Sequence, residues 1–265
     1  METVLVAVDW SPRDERALGV GARLAERFDA DLWLLRAAPD LHIETEVERL
    51  RRLATRNGLF DAQVAVFTGE PTASAVTHAC RRSSDTVLVL ATGGQPCVDS
   101  ADPGDGADEI VRRLDDPLVL VGPLVEDRGD WSSIVIFWDG SFASAAAAPV
   151  AAGWARALDL PLYLVHVRAP GSAPVVTGTS PDGATLADRV VRAATVDGRE
   201  PVVVEVVDDE PATGASRFCR SLSGSALVVL AALGATGPPA RVLGRFTLQL
   251  AREGPHALLV CHHPH

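Results

Sequence analysis

The chain has 265 residues, 47% of them hydrophobic and 22% charged, the balance of a globular protein with material for one large domain or two ordinary ones. Its net charge of −11, with no basic stripe to offset it, excludes nucleic acid and anionic membrane as expected partners but not a small phosphorylated ligand held by a few backbone N–H groups. No apolar run reaches the roughly 18 residues of a membrane helix, METVLVAVDW lacks the marks of a secretory signal, and Cys80, Cys97, Cys219 and Cys261 are too scattered for a disulfide framework or a zinc ribbon, so a reducing cytoplasm is expected.

The first predicted strand covers about 3–8. SPRDERALGVGARLAERF follows as a helix, with Ser11 as its expected cap and Pro12 as its first residue. Ala17, Leu18, Leu24 and Ala25 fall along one face of it. A second strand is expected at about 31–36. ETEVERLRRLATRNG then reads as a helix in which Glu46 and Glu48 pair with nearby arginines, stopped by Gly58. Further strands are expected at about 62–67, 86–91 and 117–121. Between the last two lies QPCVDSADPGDGADE, with Asp99, Asp102, Asp105, Asp108 and Glu109. Its oxygen ligands lack the order of an EF-hand and the closing Glu at position 12, so a solvated acidic loop is expected rather than a calcium site. GPLVEDRGDW (122–131) reads as a linker between a domain at 1–124 and a second at 130–265.

The second half gives strands at about 133–138, 161–167, 201–207, 226–231 and 257–261, with Ser141 opening its first helix. All ten apolar runs read as strands buried on both faces. His78 and His166 sit in helix- and strand-like contexts and read as structural. The tail CHHPH offers Cys261, His262, His263 and His265, ligand types that suit zinc or nickel, but a terminal cluster of this kind reads as incidental and no metal site is expected.

The two halves repeat each other. At an offset of 130, Asp9 falls on Asp139, Ser11 on Ser141, Ala17 on Ala147, Ala25 on Ala155 and Asp29 on Asp159. At an offset of 140, TVLVLATGG (86–94) falls on ALVVLAALG (226–234), and Gly94 and Gly104 on Gly234 and Gly244. This is an internal duplication. Strand–helix alternation within each copy predicts parallel strands with helices on both faces. Ligands of such sheets sit beyond the C-terminal strand ends, where the strand order reverses.

VLVAVDWSPRDERAL and IVIFWDGSFASAAA resemble the opening strand, Asp and Ser-capped helix of the universal stress protein family. SALVVLAALGATGPPARVLGRFTLQLAREGPHALLV resembles that family's closing strand, glycine loop, helix and strand. The resemblance spans essentially the whole chain, twice. It implies an α/β fold of two tandem doubly wound domains of the adenine nucleotide alpha hydrolase-like kind, each with a five-stranded parallel sheet. It also implies that a further copy of the chain is a possible partner.

In members that bind ATP the loop reads G-x2-G, nine residues, then Gly and a hydroxyl residue. Here Gly234-Ala235-Thr236-Gly237 keeps G-x2-G, but six residues precede Gly244 and Arg245 stands in the hydroxyl place. Three missing residues remove up to roughly 10 Å of contour. Pro238 and Pro239 remove two N–H donors, for which the Arg245 guanidinium would partly compensate. In the first copy the acidic segment falls where phosphates would sit and repels them unless a divalent cation intervenes. Asp9 and Asp139 match a residue that approaches adenine or ribose, and equally read as polar caps of the following helix. Val167 matches a backbone position that contacts adenine.

No nucleophile elbow, Walker loop or H-E-x-x-H is present, so no catalytic residue is assigned. Two readings follow. In the first, the chain is a non-catalytic tandem universal stress protein, a stress-response binding or signalling module with largely decayed ATP sites, no cofactor, and its copies paired through their last strands. In the second, ATP binds at a single site in the second domain, formed by Asp139, Val167, Gly234, Gly237, Gly244 and Arg245, with at most slow hydrolysis. An ATP pyrophosphatase-type ligase is disfavoured, because its S-G-G-x-D-S loop is missing.

Overall fold

The computed structural model describes residues 1–38, 42–69, 72–82, 85–92, 110, 113–114, 117–125, 130–139, 141–168, 170–171, 186–195, 197–208, 210–232 and 245–261. The chain divides into two compact units, Met1–Asp127 and Arg128–His265.

Unit 1 runs β1 (Thr3–Ala7), α1 (Asp14–Phe28), β2 (Asp31–Ala38), α2 (Ile43–Arg56), β3 (Gln63–Thr68), α3 (Thr72–Arg82), β4 (Thr86–Ala91) and β5 (Leu118–Val121). Its strands are parallel, in the order β3-β2-β1-β4-β5. The central strands β1 and β4 are aliphatic and buried almost throughout, as expected of strands covered on both faces. α1 buries Ala17, Leu18, Leu24 and Ala25, the predicted face. It ends at Asp29, a left-handed residue at φ 51°. α2 buries only Leu50, Leu53 and Ala54. On its outer side Arg49 pairs with Glu46 at 2.8 Å and Arg52 with Glu48 at 2.9 Å. Gly58, at φ +73°, follows its C-cap Asn57 as the sequence requires.

Unit 2 runs β6 (Trp131–Phe137), α4 (Phe142–Ala157), β7 (Leu162–Arg168), α5 (Leu186–Ala194), β8 (Val202–Val207), α6 (Pro211–Ser221), β9 (Ser225–Ala231), α7 (Arg245–Glu253) and β10 (Leu258–Cys261). Its strands are also parallel, in the order β8-β7-β6-β9-β10. That is the order of unit 1, strand for strand. The duplication is legible in backbone torsions too. Asp159 closes the turn after α4 at φ 52°, where Asp29 does so in unit 1.

Two expectations need correction. First, 62–67 and 201–207 are strands but are not buried on both faces. β3 is half-buried, and β8 leaves Val203 63% exposed. Both are outermost in their unit's strand order, a position that an apolar run does not reveal. Second, Ser11 does not cap α1 and Pro12 is not its first residue. α1 begins at Asp14 with no side-chain cap. Ser11 instead shapes the preceding turn, its Oγ accepting the Arg13 N–H at 3.3 Å and its carbonyl the Asp14 N–H at 3.1 Å. Ser141 does cap α4, its Oγ accepting the Ser144 N–H at 3.0 Å.

Cys80, Cys219 and Cys261 are buried free thiols. Burial pushes Cys219 and Cys261 up to about 12, which leaves them protonated and unreactive at neutral pH. Among the described residues no helix is long and apolar enough to cross a membrane, and no group of His, Cys, Asp and Glu is arranged to hold a metal.

Close packing of α6 on β7 depends on Gly214. An added Cβ would stand 2.8 Å from Asp208 Cβ and 2.9 Å from Val167 Cγ1. Gly214→Ala is therefore expected to cost about 1–3 kcal/mol by overpacking. Gly153, inside α4, has nothing within 4 Å of its Cβ position, so Gly153→Ala is expected to stabilise by about 0.5–1 kcal/mol. Thermal unfolding midpoints moving in opposite directions would bear out this contrast.

Candidate functional site

In unit 2 the strand order reverses between β6 and β9, so the crevice beyond their C-terminal ends is where such a sheet binds ligands. The Trp138 N–H bonds to the Val165 carbonyl at 2.9 Å and carries the β6–β7 ladder one residue past β6. Asp139 follows, exposed. Its Oδ1 accepts the Ser141 N–H at 3.0 Å and the Ser144 hydroxyl at 2.8 Å. Ser144 is itself buried and fixed by the Ser141 cap. One carboxylate oxygen is thus held against the first turn of α4.

Alternation along β6 sends neighbouring side chains to opposite faces. Phe137 meets Phe246, the second residue of α7, edge to face at 5.9 Å. Trp138 meets His166 of β7 with ring centroids 5.8 Å apart. Val167, paired with Val206, lies at the same C-terminal end of the sheet, backed by Gly214. The structure therefore brings Asp139, Val167 and the start of α7 to one end of unit 2. Arg245 is the first residue of α7. Gly234, Gly237 and Gly244 lie outside the described residues, as do the acidic segment 99–109 and His262, His263 and His265.

Ser144 and Trp138 of this end were not singled out in the sequence, and His166 was read there as structural. Ser144 was visible only as a second serine three residues after the cap. At His166 burial and the Arg168 charge hold the imidazolium form down, against the pull of Glu205 and Asp139. Trp138 gave no signal beyond its apolarity.

At the matching end of unit 1 Asp9 is also exposed, and the side chains beside it bind one another. Asp9 Oδ1 accepts the Ser11 N–H at 2.7 Å, as Asp139 accepts that of Ser141. Trp10 stands at φ 68°, a left-handed torsion that is strained for a bulky residue. In the sequence its counterpart is Gly140. The Trp10 indole N–H donates to Glu46 Oε2 at 2.8 Å, and the Arg49 guanidinium lies 4.1 Å from the ring centroid. Arg36 donates to the Val8 carbonyl at 3.4 Å and pairs with Glu46 at 3.5 Å. Burial works to raise Glu46, but Trp10, Arg49 and Arg36 outweigh it and hold it below the usual glutamate value. β1, β2 and α2 are thereby tied together across the end of the sheet.

Residues 131–262 match the model of the universal stress protein family. No curated protein matches this sequence. A universal stress protein from Archaeoglobus fulgidus DSM 4304 is similar in structure, with a TM-score of 0.65 at 15% identity, over 98% of this chain and 96% of its own. A putative universal stress protein from Pseudomonas aeruginosa UCBPP-PA14 gives 0.58 at 14% identity, over 99% and 93%. A functionally unknown protein from Pseudomonas aeruginosa PAO1 gives 0.59 at 13% identity, over 99% and 92%. At such identities the likeness shows the fold alone, and it shows it over nearly the whole chain.

Proposed function

We propose, for a chain that belongs through residues 131–262 to the universal stress protein family, that it is a tandem binding module rather than an enzyme, and that unit 2 holds its one remaining adenine-nucleotide site. The observation that carries this reading is the contrast between the two ends. In unit 1 Asp9 is exposed too, but Trp10, Glu46, Arg49 and Arg36 are tied to one another beside it. In unit 2 Asp139 is exposed and oriented by Ser141 and Ser144, with Val167 and the start of α7 beside it. Asp139 would accept from a ribose hydroxyl or an adenine amine, and the Val167 backbone would meet the base edge. Arg245 and the glycines at 234, 237 and 244 would take the phosphates, fewer of them than the full-length family loop accommodates. The absence of any nucleophile or Walker motif in the sequence supports a binding rather than a catalytic role.

Isothermal titration with ATP and magnesium tests the proposal. At most one equivalent is expected to bind per chain. Asp139→Ala is expected to lower affinity at least about tenfold, as loss of a hydrogen bond to a charged group does, while Asp9→Ala leaves it unchanged. Two equivalents, or the reverse pattern of sensitivity, would overturn the assignment to unit 2. Binding weaker than millimolar would leave a module with both sites decayed.

A further inference from the structure

We propose that Asp9 and Asp14 share a proton at the C-terminal end of the unit 1 sheet and make the turn between β1 and α1 a pH-responsive element, independently of any nucleotide. The argument begins with the duplication. Asp9 corresponds to Asp139, and five residues on, Asp14 corresponds to Ser144. In unit 2 the Ser144 hydroxyl donates to the Asp139 carboxylate at 2.8 Å, a bond available at every pH. In unit 1 the donor's place is taken by a second carboxyl group, which can donate only when protonated.

Asp14 is 3% exposed. One oxygen, Oδ1, is 3.4 Å from the Asp9 N–H, and the other, Oδ2, is buried with no hydrogen-bond partner. That N–H ties Asp14 to Asp9 and sets the two carboxyl groups on one turn. A buried carboxylate oxygen left unpaired beside a second carboxylate is costly; a carboxylic acid donating to that neighbour is not.

The surroundings place the proton on Asp14. Burial, then the Asp9 charge, pushes Asp14 up to about 6, against the N–H groups of Asp9 and Trp10. For Asp9, burial is outweighed by hydrogen bonds from Ser11 and Asp14 and by the Arg36 charge, so it stays below the ordinary value. Arg36 of β2 is the charged group that faces the pair from the sheet. β1, β4 and β5, which also pack on α1, contribute apolar side chains and threonines. Glu46 and Arg49 of α2 reach the turn through Trp10, the residue between Asp9 and Ser11. When Asp14 loses its proton, the two carboxylates repel, and the turn that carries Trp10 is released from the donor that closed it.

Carboxyl 13C NMR on the full chain, titrated through the acidic range to neutrality, tests this, with the Trp10 indole 15N–H resonance as reporter of the turn. Asp14 is expected to titrate near 6, with the Trp10 resonance moving at the same midpoint. Asp9→Asn is expected to lower the Asp14 midpoint by about one pH unit or more, by removing the like charge. Asp14→Ser, which installs the hydroxyl of unit 2, is expected to abolish the Trp10 transition; Asp14→Asn, the same shape without the proton, serves if the serine variant does not fold. An Asp14 midpoint near the ordinary aspartate value overturns the proposal. So does a midpoint indifferent to Asp9→Asn, or a Trp10 resonance that does not move with Asp14.

Discussion

Phe137→Ala is expected to destabilise unit 2 by about 3–5 kcal/mol, the range for removing a buried phenyl ring. Phe137 is 6% exposed and meets Phe246 at 5.9 Å, edge to face. Its loss opens a cavity at the end of β6 and removes the ring contact that seats the first turn of α7. Because Asp139 lies two residues beyond, the same substitution is expected to abolish any nucleotide binding in unit 2. Phe246→Leu keeps much of the volume but loses the ring–ring term, and is expected to cost about 1–2 kcal/mol. Hydrogen exchange at β6 and β9 amides reads the effect within unit 2. Protection reduced by less than about tenfold in Phe137→Ala, which is under 1.4 kcal/mol, would show that the pair does not anchor α7.

The second large effect is a dependence of stability on pH that Asp14→Asn removes. The Asp14 carboxyl goes from the ordinary 3.8 to about 6 on folding. The folded protein therefore holds this proton more tightly than the unfolded chain. The resulting stability is fully present below pH 4 and is lost as pH rises toward 6, amounting to about 3 kcal/mol across the window. Asp9 is shifted the other way, and its contribution is lost as pH falls below the ordinary 3.8, outside that window. His166 and His256 are both depressed by burial, so their contribution is lost as pH falls below 6.5, with a sign opposite to that of Asp14. The raw stability curve mixes these terms, and the difference between wild type and Asp14→Asn isolates the carboxyl. Relative to wild type, the variant should gain stability steadily from pH 4 to pH 6 and hold that gain above. Parallel curves for the two proteins would show that Asp14 ionises freely.

Much of this architecture follows from chain chemistry alone. Runs such as TVLVA and TVLVLA, and helices with apolar residues on one side, have few ways to bury themselves other than parallel strands between helices. The repeat of Asp29 at Asp159 specified the same turn twice, both aspartates adopting the same left-handed torsion. Asp139 and Val167 were singled out through the resemblance to the family, and the structure places both at the C-terminal end of the unit 2 sheet. Edge exposure of β8 was not legible, because an apolar run looks the same in the middle of a sheet as at its margin. The cap of α1 was misplaced because Ser-Pro satisfies the rules of a helix start and of a turn equally well. The Ser144 bond to Asp139 and the ring contact between His166 and Trp138 were not legible, because each depends on a fold-specific approach.

By itself the sequence determined the class of fold and the duplication, since both are written in periodicity, spacing and residue type, which are local properties of the chain. Only the tertiary structure decided how each copy uses its conserved-looking aspartate. Asp139 is oriented by a hydroxyl, while Asp9 faces a buried acid beside a tryptophan clamped by Glu46 and Arg49. Those contacts join residues up to 36 positions apart, and their energies depend on burial, which a linear sequence does not specify.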